Sequence, residues 1–131
     1  MPHFTIEYSS NVAMRVKPEA MVEAVRAAAV TTGMFPIGGI RVRAYPAQDY
    51  AVADGDPFHA FVAMTLALAQ GRSAEARRKA GAAIFRALEA ALAPAFAAGP
   101  LALSFEMREM EEAFSFKANT VHAAVAAKVK A

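Results

Sequence analysis

The sequence predicts an α+β fold made of two β-α-β units in tandem, a four-stranded mixed sheet carrying two helices on one face. Three observations predict it. Four short stretches have the two-residue alternation or dense apolar character of strands, at 2–8, 40–45, 58–68 and 101–107. Two stretches have three-to-four apolar spacing and end signals proper to helices. The order strand, helix, strand occurs twice, over 2–46 and 58–107, which repeats a pattern rather than letters. Right-handed crossovers place both helices on the same side of the sheet and leave the other side uncovered.

In the first strand Phe4, Ile6 and Tyr8 alternate with His3, Thr5 and Glu7. Ser9, Ser10 and Asn11 are turn and cap residues. Pro18 then opens a helix at the position where its missing N–H costs nothing, and Met21, Val22, Val25, Ala28 and Ala29 form the stripe. The helix stops near Gly33. After a Gly- and Pro-rich connector, Ile40, Val42 and Ala44 share one face of the second strand, while Arg41, Arg43 and Tyr45 share the other.

Residues 46–57 hold three aspartates and a glycine and read as a polar connection. The third strand, 58–68, is apolar on both faces, as a central strand would be. Ser73 is the expected N-cap of a second helix running to about Leu92, with Ala80, Ile84, Leu88 and Leu92 as its buried stripe. Pro94 and Gly99-Pro100 stop it. Strand four follows, then a short edge strand expected at 114–117 and a short helix over 119–130 capped by Asn119 or Thr120.

Composition bounds the partners. The chain has 131 residues, 56% of them hydrophobic, enough for one compact domain over its whole length. A formal charge of +2 points to no nucleic-acid partner, and there is no cysteine for a disulfide or thiolate metal site. No leader pattern and no apolar run of membrane-spanning length is visible, so a cytoplasmic protein without a membrane partner is expected. An open, partly apolar sheet face predicts a homo-oligomer.

The chemistry-bearing candidate is Pro2. Removal of Met1 would turn its nitrogen into a secondary amine on a strand held in a sheet. In an apolar, arginine-lined pocket such an amine titrates near neutral pH, where a general base works best. Arg41 and Arg43 can enter one cleft and grip carboxylates in a forked manner, and Arg72 lies just before a helix N-terminus. Arg77, Arg78 and Lys79 read as a solvated face, and His3 as a structural partner. His122 is divided between packing and site, while Phe114 and Phe116 read as core or interface. Gly38 and Gly39 serve backbone geometry, their spacing being wrong for a nucleotide fingerprint.

Pro2-His3-Phe4, the run Thr32-Gly33-Met34-Phe35-Pro36-Ile37-Gly38-Gly39-Ile40-Arg41-Val42-Arg43, and Ala53-Asp54-Gly55 resemble the 5-carboxymethyl-2-hydroxymuconate isomerase family of the tautomerase superfamily. So do Ala60-Phe61-Val62-Ala63-Met64-Thr65-Leu66, Gly71-Arg72-Ser73, the run 101–106 and Phe116-Lys117-Ala118-Asn119-Thr120-Val121-His122. The resemblance covers nearly the whole chain. It implies a homotrimer and a cofactor-independent isomerase, needing no metal, that acts on a small dicarboxylate or tricarboxylate dienol from homoprotocatechuate breakdown. It further implies Pro2 as the acid-base group and favours Arg41, which matches the family's arginine after the Gly-Ile pair, as a substrate-binding residue; Arg43 and Arg72 are substrate-binding candidates from their own places in the sequence. A broader tautomerase of 2-oxo acids such as phenylpyruvate would use the same groups. A non-catalytic oligomeric binding module of the same fold would be marked by retention of Met1.

Overall fold

The computed structural model describes residues 1–130 of the chain. Four strands, β1 (His3–Ser9), β2 (Arg41–Ala47), β3 (Ala60–Leu68) and β4 (Leu101–Glu109), form one mixed sheet in the order β2-β1-β3-β4. β1 pairs parallel with β2, β3 parallel with β4, and the two pairs meet antiparallel through β1 and β3. Helix α1 (Pro18–Thr32) links β1 to β2 and α2 (Ala74–Ala91) links β3 to β4, which gives the two expected β-α-β units.

Alternation decides which strand face is buried. Phe4, Ile6, Val62, Met64 and Leu66 are sealed against Met21 and Val25 of α1 and Ile84 and Leu88 of α2. Each such side chain contributes roughly 1.5–3 kcal/mol through burial. The other face stays open: Glu7, Tyr45, Thr65, Ala102, Ser104 and Glu106 all lie exposed on it. The helix signals act where they were read. Pro18 sits in the first turn of α1, Gly33 closes it at φ 66°, and the Ser73 hydroxyl accepts from Ala76 N–H at 3.0 Å.

Three boundaries differ from expectation, each for a local reason. Strand β3 starts at Ala60 because Phe58 and His59 belong to a turn held by Asp56, whose carboxylate accepts from Phe58 N–H at 2.9 Å. Strand β2 continues through Pro46 to Ala47; as an edge strand it tolerates a residue with no N–H. Past Leu92, Pro94 starts a separate short helix α3 (Ala93–Ala98) rather than ending helical structure.

The edge strand expected at 114–117 is not there. A 3-10 turn covers Glu112–Phe114 and the chain runs on unpaired, with Phe114 77% and Phe116 93% exposed. Alternating aromatics give strand character to a segment, but a ladder also needs a partner, and this one leaves the β4 edge after Met110 N–H bonds the Leu68 carbonyl. It leads instead to α4 (Val121–Lys130), which packs on a 3-10 turn at Ile37–Gly39.

Candidate active site

The antiparallel meeting of β1 and β3 sets the beginning of the first beside the end of the second, with His3 opposite Ala67. Because β2 runs parallel to β1, its beginning lies at the same end of the sheet, and Arg41 N–H donates to the Pro2 carbonyl at 3.2 Å. Here a cavity of about 390 Å³ opens. Its floor is Met1, Pro2 and Leu68; Phe35, Pro36 and Gly39 form one wall; Ala69 and Arg72 form the second. The C-terminal segment closes the third side with Lys117, Asn119 and His122. A larger groove of about 580 Å³ between α1 and α2 has alanine, threonine and Met34 walls, and Lys79 is its one ionisable group. Of these two, it is the first that combines several polar groups with an apolar body, as small-molecule sites do.

Hydrogen bonds and ring stacking position its arginines. Arg72 follows Gly71, whose φ of 112° makes the turn out of β3, and its guanidinium donates to the Met34 carbonyl at 3.1 Å and the Ala69 carbonyl at 3.3 Å. The same group stacks on Phe35, itself held edge-on by buried Phe4. Arg41 Nη1 donates to the Gly39 carbonyl and to Met1 Sδ, both at 3.2 Å. Lys117 stands exposed at the rim. The effect of this field is legible at the chain's own α-amino group on Met1, whose pKa lies below 8.0. Burial is the largest cause, followed by the charges of Lys117, Arg72 and Arg41, with Glu112 opposing them.

Of the residues singled out in the sequence, Pro2, Arg72 and His122 line the cavity, and Arg41 reaches it through Met1. Arg43 does not line it. It shares the strand face of Arg41, but a two-residue step along β2 is about 7 Å, and its Nη1 lies 3.2 Å from His3 Nδ1. Burial first, then the charges of Arg43 and Arg41, hold His3 below its usual pKa, so its neutral ring is the acceptor. Phe35, Lys117 and Asn119 were not assigned to the site from sequence. Lys117 and Asn119 stood inside a run that already carried the family resemblance, which was the available signal. Among the described residues no three His, Asp or Glu side chains gather into a metal-holding group.

The comparisons bear on the chain as a whole. A family model described as 5-carboxymethyl-2-hydroxymuconate isomerase matches residues 2–125. A curated Escherichia coli protein named 5-carboxymethyl-2-hydroxymuconate Delta-isomerase is 37% identical over 123 residues, which span 94% of this chain and 98% of that one. The crystal structure of a 5-carboxymethyl-2-hydroxymuconate isomerase from Deinococcus radiodurans R1 superimposes with a TM-score of 0.86 at 38% identity, covering 95% of this chain and 93% of the other. More distantly, a fused 4-OT solved as a symmetric trimer shares the fold, at TM-score 0.67 and 16% identity over 88% of this chain and 93% of that one.

Proposed function

The chain belongs to the 5-carboxymethyl-2-hydroxymuconate isomerase family and is an isomerase of tautomerase fold, and from that premise we propose that it converts 5-carboxymethyl-2-hydroxymuconate to its 2-oxo, 3-ene isomer with Pro2 as the acid-base group. Removal of Met1 exposes the Pro2 nitrogen as a secondary amine at the cavity floor. The amine takes the enol O–H proton, and the electron pair moves through the diene to form the ketone and the new double bond. The proton returns at the far diene carbon, so atoms and charge balance without another reactant. Arg72, Arg41 and Lys117 neutralise the carboxylates and the dienolate while its charge develops.

One observation carries the reading: buried Pro2 lines the same cavity as Arg72 and Lys117, where burial and these charges lower the pKa of the α-amino group on the adjoining Met1. A self-assembled trimer fits the same reading, since the sheet face is open and Phe114 and Phe116 stand in solvent. The test is loss of dienol absorbance, with intact mass measured on the same batch. Protein lacking Met1 turns the substrate over, protein retaining it does not, and Pro2→Ala falls by orders of magnitude while keeping its fold. Equal turnover by the Met1-retaining protein removes Pro2 from the mechanism. Light scattering checks the assembly, at three times the chain mass.

A further inference from the structure

Two side-chain donors converge on one point beside Pro2. Arg41 Nη1 and Asn119 Nδ2 each lie 3.2 Å from the same atom, Met1 Sδ. Each nitrogen carries two hydrogens, and in each case the other is spent on a backbone carbonyl of the glycine pair: Arg41 on Gly39 at 3.2 Å, Asn119 on Gly38 at 3.0 Å. The Asn119 amide cannot turn over, because its Oδ1 accepts from Val121 N–H at 2.7 Å at the start of α4. Both donors are therefore aimed, and both are aimed at a thioether, a weak acceptor for an amide and a poor one for a guanidinium.

The glycine pair allows no looser arrangement. A Cβ on Gly38 would stand 2.7 Å from the His122 Cα, and one on Gly39 would touch the Pro2 ring at 3.4 Å. The backbone carbonyls that orient the two donors thus lie against both α4 and Pro2. When Met1 leaves, its sulfur leaves with it, and two fixed N–H groups, one charged, face the space next to the Pro2 nitrogen. Preorganised donors of this kind suit an anionic oxygen.

We propose that Asn119 is a substrate-binding residue which, paired with Arg41, forms a two-donor receptor for one carboxylate oxygen of the substrate, at the point the Met1 thioether fills. The assignment rests on the function proposed above for its substrate class. It also means that retained Met1 blocks the site twice, by turning the Pro2 nitrogen into an amide and by occupying the receptor.

The experiment is calorimetric titration of Met1-free protein with muconate, a dienedioate lacking the enol, so binding is read without turnover. Asn119→Ser keeps a hydroxyl able to cap Val121 N–H but loses the aimed N–H. Asn119→Asp keeps the cap and puts an anion where the substrate anion goes. Relative to the parent, we expect affinity to fall about ten- to hundredfold in the first, the range for one hydrogen bond to a charged group, and further in the second. Melting temperatures verify that both remain folded at the titration temperature, and dienol kinetics show the change in KM rather than kcat. Protein retaining Met1, prepared with the methionine aminopeptidase inhibited, binds at least tenfold more weakly.

Muconate affinity within twofold of the parent in both variants overturns the receptor, as does absence of binding to the parent. Unchanged affinities in a parent that turns over the dienol leave the Pro2 reading standing without the receptor. Weakened binding in variants of a parent that does not turn over the dienol keeps the receptor and removes the Pro2 reading.

Discussion

The Arg72 guanidinium lies over the Phe35 ring, its central carbon 5.3 Å from the ring centroid. Two backbone carbonyls hold it there, each taking one N–H, and its remaining N–H groups are free to serve the cavity that Arg72 lines. A lysine offers a point charge with neither the stack nor the fork. Arg72→Lys is expected to lower kcat/KM for a dicarboxylate dienol by about ten- to hundredfold, the range for losing one charged hydrogen bond. Steady-state kinetics check it, and unchanged kcat/KM would make Arg72 a structural prop for the loop after β3.

The second expectation concerns pH. Burial and the charges of Lys117, Arg72 and Arg41 disfavour a protonated amine at the front of the chain. The base must be unprotonated to act, so kcat/KM rises with pH through the amine pKa and levels off above it. In the same surroundings that rise should fall below the ordinary value of a free N-terminal proline. Lys117→Met removes the largest charge effect and should move the rise to higher pH. A profile that stays in place shows that burial alone sets it.

His3 gives a stability prediction of definite sign. Its folded-state pKa is below 6.5, through burial first and then the charges of Arg43 and Arg41. Below pH 6.5 the unfolded chain therefore binds the proton first, and stability falls as pH drops from 6.5 toward the folded-state value. His3→Gln has no such proton and can still accept from Arg43. Melting temperatures between pH 7 and 5 should decline less in the variant than in the parent.

Two glycines should respond oppositely to alanine. At Gly38 the new methyl meets the His122 backbone within 3 Å, so α4 has to move and with it the third wall of the cavity. Gly38→Ala is expected to lower both activity and melting temperature. At Gly81, inside α2, the obstacle is the Met107 methyl at 2.7 Å, the far end of a flexible side chain. Helix propensity favours alanine there by about 1 kcal/mol, so Gly81→Ala should melt within a few degrees of the parent and retain full activity.

What the sequence made legible follows the range of the interactions. Pro18, Gly33 and Ser73 act on their own helices, and each stands where local chemistry places it. The alternation of Phe4, Ile6 and Tyr8 selects the buried face without further information. The stretch at 114–117 shows the limit, since alternation cannot state whether a partner strand exists. The site shows it again. Pro2, Arg41 and Arg72 stand at strand or helix ends that one sheet gathers, whereas Lys117 and Asn119 arrive from a segment more than a hundred residues from Pro2. Asn119 was readable as a cap, and its amide nitrogen gains a second use only because α4 docks against the Ile37–Gly39 turn.

The placement of Met1 on the cavity floor has a practical corollary for anyone producing this protein. A purification handle fused ahead of Met1 would hold the following peptide bond intact and thread extra residues through a space of about 390 Å³. Recombinant material should therefore carry its handle behind α4, and a front-tagged preparation without turnover says nothing about the native molecule until the handle and Met1 have both been cleaved.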